Sequence, residues 1–164
     1  MPMVQFIENK DYSYYVGTWK WEDTASQSEF VIKLVQAERI SSINNTKRVY
    51  LKGAYFYKKN GVIVANYMNE LNEEKDFVHY PIYVHNDREN NMKLGIRDYL
   101  LKDGYNNAKH HGGSSYIKYI SSDPEQIKWI IVDDRLSGAI FTEDKMTDPP
   151  GISLPEDIIL TKIE

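Results

Sequence analysis

The chain of 164 residues contains no cysteine, which excludes disulfides, thiolate metal ligands and thiol nucleophiles. It carries little excess charge: 20 Lys and Arg against 24 Asp and Glu leave a net −4. That balance argues against the basic face that nucleic acid or an anionic membrane requires. No apolar run approaches the roughly 20 residues of a membrane-spanning helix. No segment sustains a 3.6-residue period with caps, and the stretch 4–15 offers one helical turn at most. The start, Met1-Pro2-Met3-Val4-Gln5-Phe6, lacks the basic and apolar regions of a signal peptide. Cytoplasmic location is therefore the default expectation, with the envelope or secretion following if a leader has been removed.

What the chain has instead is tyrosine. The 13 Tyr, 5 Phe and 3 Trp favour pleated, half-buried surfaces. Two-residue alternation recurs throughout. In 15–22, Tyr15, Gly17, Trp19 and Trp21 share one face. In 28–38, Phe30, Ile32 and Leu34 fall together with Lys33 opposite. In 48–58 the shared set is Val49, Leu51, Gly53, Tyr55 and Tyr57. Asn60-Gly61 then predicts a type I′ hairpin, because both central residues need positive φ. It pairs 48–58 with a strand over 62–69. Further strands are expected over 77–84, 92–101, 116–120, 126–132 and 158–163, with a short one at 139–141. Pro81 marks an edge or bulge, and Met92, Leu94, Ile96 and Leu100 are expected inward. The stretch 105–115, with His110-His111-Gly112-Gly113, reads as a long irregular loop. About nine strands at this spacing predict an all-β domain, a barrel or sandwich. No linker divides the chain, so 1–164 is expected to be a single domain with 1–14 as an N-terminal extension.

Gly17-Thr18-Trp19 on the first strand and Leu160-Thr161-Lys162 on the last resemble the lipocalin, or calycin, superfamily. The resemblance implies an antiparallel up-and-down β-barrel of about eight to ten strands with little helix, the last strand closing on the first. It implies that Gly17 lets the chain bend close to the barrel floor, that Trp19 plugs that floor, and that Lys162 covers the Trp19 ring. The Thr-Asp-Tyr segment and C-terminal helix of larger lipocalins are absent. The chain therefore looks more like short bacterial lipocalin-like domains of unknown function, many with the same early Gly-Thr-Trp and late Leu-Thr-Lys.

Candidate sites are few. Trp19 and Trp21 could form a ligand platform or pack as core. His79 and His85 lie roughly 20 Å apart along one extended strand, and the adjacent His110 and His111 point apart. Neither pair converges as metal ligands must, even with Glu143 or Asp144 added, so no metal is expected. One of Arg97 and Asp98 must face inward, where a charge needs a partner. Arg97 could anchor a ligand carboxylate, or the two could form an exterior salt bridge. Ser114-Ser115 after Gly112-Gly113 form neither a Gly-x-Ser-x-Gly elbow nor a phosphate loop. Glu73-Glu74 and Asp133-Asp134 lie in turns.

The reading is a non-catalytic domain holding a small, partly apolar ligand in the barrel mouth. Ligand contacts would come from Trp21, Tyr55, Tyr57, Arg97 and Trp129, with Phe30, Leu34 and Ile96 completing the walls and 105–115 as lid. The alternative is a protein-interaction or structural domain with a packed core, including homo-oligomers. An enzyme ranks last and would require His79, Arg97 and Asp98 to meet in one pocket. No cofactor is expected.

Overall fold

The computed structural model describes residues 5–6, 12–86, 91–102, 106–133 and 151–164. Among these described residues there are eleven strands: β1 (Gln5–Phe6), β2 (Gly17–Asp23), β3 (Ser28–Ile40), β4 (Thr46–Lys59), β5 (Val62–Asn66), β6 (Ile82–Asn86), β7 (Met92–Lys102), β8 (Ala108–His111), β9 (Tyr116–Ser122), β10 (Glu125–Ile130) and β11 (Asp157–Lys162). Eight of them close a ring in the order β4-β3-β2-β11-β10-β9-β7-β6, with β6 returning to β4. Every neighbouring pair in the ring is antiparallel. The fold is thus a closed, up-and-down β-barrel of eight strands, with β11 closing on β2 through Thr161↔Lys20 and Lys162↔Trp19. The three short strands lie outside the ring: β1 pairs parallel with β4, β5 with the end of β4, and β8 with β7.

Alternation explains the inward faces. Phe30, Ile32 and Leu34 are buried and Lys33 is exposed. Leu51, Gly53, Tyr55 and Tyr57 point inward from β4. Asn60 (φ 50°) and Gly61 (φ 80°) make the predicted hairpin between β4 and β5. An eight-stranded barrel has an interior just wide enough for side chains to fill. Here Trp19, Trp129, Tyr55 and Phe30 are the largest of those that fill it.

Several segments differ from the sequence reading. The expected strand over 77–84 is split: Phe77–His79 is a 3-10 turn and the strand is Ile82–Asn86. Pro81 stands just before it, with its carbonyl accepting the Arg97 N–H at 2.9 Å. The strand after Gly61 stops at Asn66, and Met68–Asn72 is another 3-10 turn. Residues 108–111, expected in a loop, form β8 against β7. Leu100, expected inward, is 37% exposed, because the pairing slips between Asp98 and Lys102. The expected strand at 139–141 lies outside the described residues.

Gly53 on β4 pairs with Leu34 of β3 on one side and Ile82 of β6 on the other. A Cβ there would lie 2.6 Å from Leu34 Cδ2 and 2.7 Å from the Lys33 carbonyl oxygen. The carbonyl belongs to the β3–β4 ladder and cannot retreat cheaply. Gly53→Ala is expected to destabilise the fold by about 1–3 kcal/mol through overpacking. A urea midpoint unchanged from the parent chain would contradict this.

Candidate functional site

At one end of the barrel a 3-10 turn, Ser13–Tyr15, runs under the strands. Trp19 is fully buried there and donates its indole N–H to the Tyr15 carbonyl at 2.9 Å. The Lys162 Nζ lies 5.6 Å from the Trp19 ring centroid and 3.2 Å from a Glu125 carboxylate oxygen. Gly17 has φ +143°, and a Cβ on it would meet the Glu164 carbonyl oxygen at 2.5 Å and Lys162 Cε at 2.7 Å. These three residues are therefore neighbours.

At the other end, the residues read as ligand walls interlock. Phe30 packs edge-on against Trp129 at 5.3 Å and against Tyr57 at 5.7 Å, and its ring lies 5.9 Å from that of Tyr55. Tyr55 donates its hydroxyl to the Arg97 carbonyl at 2.7 Å and accepts the Tyr99 N–H at 3.2 Å. Burial pushes its phenol far above the ordinary tyrosine range. Trp129 donates its indole N–H to the Pro155 carbonyl at 3.0 Å. Trp21 is half-buried and packs against this cluster. Arg97 donates from Nε to the Val78 carbonyl at 2.9 Å, in the segment outside β7.

Of the Arg97–Asp98 pair, Asp98 is the inward one. It continues the Met92, Leu94, Ile96 face, and both it and His111 are fully buried at the side chain, 3.2 Å apart. His111 comes from β8, where Ile96↔His111 and Asp98↔Lys109 are cross-strand partners. The segment 151–156 caps this point. Ser153 gives Asp98 both its backbone N–H, at 2.9 Å, and its hydroxyl. The buried Lys109 donates to the Gly151 carbonyl and pairs with Asp133 at 3.0 Å. Aspartate, histidine and serine thus meet, but the serine hydroxyl bonds the carboxylate and not the imidazole. A nucleophile needs a base in hydrogen-bond contact, and this knot does not provide one. His111 turns Nε2 to the carboxylate, and its Nδ1 is buried with no hydrogen-bond partner among the described residues.

The other histidines do not join it. His79 is exposed on a 3-10 turn, His85 stacks on Tyr83, and His110 bonds the Tyr83 hydroxyl at 2.7 Å on the outer face. His79, Arg97 and Asp98 therefore do not converge. The lid expected at 105–115 is, over Ala108–His111, a paired strand. Among the described residues no three His, Asp or Glu are grouped to hold a metal ion.

The open space lies elsewhere. The β7–β9 ladder holds one residue pair, Lys93↔Tyr116, and just before β9 the Leu94 N–H donates to the Ser115 carbonyl at 2.9 Å. A cleft of about 540 Å³ occupies this seam. Its apolar side is made by Tyr15, Met92 and Ile117, all members of the barrel core, and its rim includes Lys93, Ser114 and Lys118. Sequence reasoning missed this cleft, because a seam is a property of strand register and no residue pattern marks it.

Fold and cleft together define a small closed β-barrel with one weakly joined side. The chain belongs to a family of unknown function, DUF6705, whose family model matches residues 3–163. No curated protein and no solved structure matches it.

Burial pushes the Asp98 carboxyl up, but the hydrogen bonds from His111 and Ser153 outweigh it and hold the group below the usual carboxylate range. A depressed folded value stabilises the fold above the unfolded value of about 3.9, and that stability is lost as pH falls further. Asp98→Asn is expected to flatten the acid side of a stability–pH curve measured by urea unfolding. Asp98→Ala, which strands His111 and Ser153, should cost about 3–5 kcal/mol. A parent curve with no acid slope below pH 4 would contradict the assignment.

Proposed function

We propose that the chain is a single lipocalin-like barrel domain that holds a small, partly apolar molecule without transforming it. The ligand sits in the cleft between β7 and β9. The observation that carries this reading is the cleft itself. Its volume, about 540 Å³, falls within the roughly 300–1,000 Å³ of small-molecule sites. It reaches core residues on one side and polar groups on the other, which suits a molecule with one apolar and one polar end. In this reading Trp21, Tyr55, Tyr57 and Trp129 are packing at the far end. Arg97 ties β7 to the segment outside it, and Gly17, Trp19 and Lys162 form the barrel floor.

A second reading, an interaction or structural domain, draws on the interlocked aromatics that leave the mouth filled. Native mass spectrometry of the purified chain separates the two: a retained small mass supports the ligand reading.

The seam offers a sharper test, because the chain has no cysteine of its own. Directly opposed antiparallel residues lie within disulfide range, so the double variant Lys93→Cys/Tyr116→Cys can pin β7 to β9. The neutral fluorophore N-phenyl-1-naphthylamine is expected to bind the reduced variant and the parent chain alike, and at least tenfold more weakly once the bridge forms. Equal binding in both redox states would place the ligand elsewhere.

A further inference from the structure

A second hollow opens on the rim of the barrel, beside β3, β4 and β6. Arg39 and Arg48 are directly opposed in the β3–β4 register, so two guanidinium groups project from the same face. Like charges so placed repel. Among the described residues no carboxylate lies within 4 Å of either. Glu38, the neighbour of Arg39, pairs with Lys47 at 3.0 Å instead. Arg39 lies over the Phe77 ring, 4.5 Å from its centroid. Both arginines line a cavity of about 100 Å³ together with Tyr12, Tyr50, Phe77 and Asn86.

Asn86 supplies an independent observation. Its backbone N–H is satisfied by the Tyr12 hydroxyl at 2.8 Å. Its side-chain oxygen and nitrogen are both buried with no hydrogen-bond partner among the described residues. A buried amide lacking both partners is costly and rare, and this one belongs to the wall of the hollow. Among the described residues the site thus combines two arginines without a carboxylate partner, an aromatic wall and an amide with donors and acceptor to spare.

We propose that this hollow binds a small aromatic carboxylate. Arg39 and Arg48 hold the carboxylate, where guanidinium forks match its two oxygens. Phe77 and Tyr50, in edge-on contact with each other at 5.3 Å, give the ring one aromatic wall, and the open hollow takes the ligand in only in part. The Asn86 amide takes a hydrogen bond from, and gives one to, a polar substituent. The bound anion also removes the repulsion across the Arg39–Arg48 pair. The site is separate from the β7–β9 cleft and stands whether or not that cleft binds a ligand.

The test titrates the full chain with 4-hydroxybenzoate, following ¹⁵N chemical shifts. 4-Hydroxybenzyl alcohol, which keeps the ring and loses the charge, and inorganic phosphate serve as comparisons. Saturable binding of 4-hydroxybenzoate that moves the Asn86 side-chain amide signals is expected. The alcohol should bind at least tenfold more weakly, and phosphate more weakly than the aromatic acid. Arg48→Gln should weaken the benzoate at least tenfold. Arg39→Gln, also on an exposed position, gives a second variant should the first fail to fold. The proposal is overturned if 4-hydroxybenzoate shifts no signal, if the alcohol or phosphate binds as well, or if the folded arginine variants bind as tightly as the parent.

Discussion

The ring closes through three short contacts, and much of the architecture answers to that. β6 pairs with β4 at Leu51, Lys52 and Gly53, β11 with β2 at Trp19 and Lys20, and β9 with β7 at Lys93. A closed sheet must tilt and stagger its strands, so the long strands β4 and β7 slide past their partners and leave overhangs. An unpaired overhang is an exposed edge that invites association. β5 covers the overhang of β4 and β8 covers that of β7. The small strands outside the ring are the consequence of closing it.

The same stagger brings polar groups inside. Past Ile96 the inward positions of β7 and β8 hold Asp98, Lys109 and His111. Apolar side chains would have sufficed for burial, yet the segment 151–156 docks here through hydrogen bonds from Ser153 to Asp98 and from Lys109 to Gly151. Charged hydrogen bonds fix orientation where apolar contact alone permits sliding. Tyr55 then ties β4 to β7 across the interior through Arg97 and Tyr99. Among the described residues these bonds interlock the side chains of this end.

Local pattern carried the ring strands whose two faces differ in polarity. Phe30-Val31-Ile32-Lys33-Leu34 and the Asn60-Gly61 turn read correctly because each is decided by neighbours in sequence. Ala108-Lys109-His110-His111 did not read as a strand, since it has no β-branched residue and no apolar face. Its pairing is imposed by β7, which has an overhang to cover. The need for one inward charge at Arg97 or Asp98 was legible. The partner of that charge was not, because His111 and Ser153 arrive from 13 and 55 residues away. Phe77–His79 failed for the opposite reason: its apolar residues pack on the outside of the barrel, Phe77 against Tyr50 and Tyr83, so their hydrophobicity mimicked an inward strand.

The two ends of the barrel therefore differ in kind. At the plugged end, polar side chains bond one another and large aromatics fill the space between them. At the end closed by Ser13–Tyr15, the Asn86 side-chain amide has no hydrogen-bond partner among the described residues. Tyr12 and Tyr15, three residues apart on this turn, wall the arginine hollow and the seam cleft respectively. Asn86 and Met92, cross-strand partners at the tip of β6 and β7, do the same on the opposite side. Both hollows thus lie against one short turn, where backbone groups are satisfied by tyrosine hydroxyls while the Asn86 amide is left over. Binding sites need accessible space beside polar groups not already committed to the fold. Both hollows at this end join accessible space to such groups.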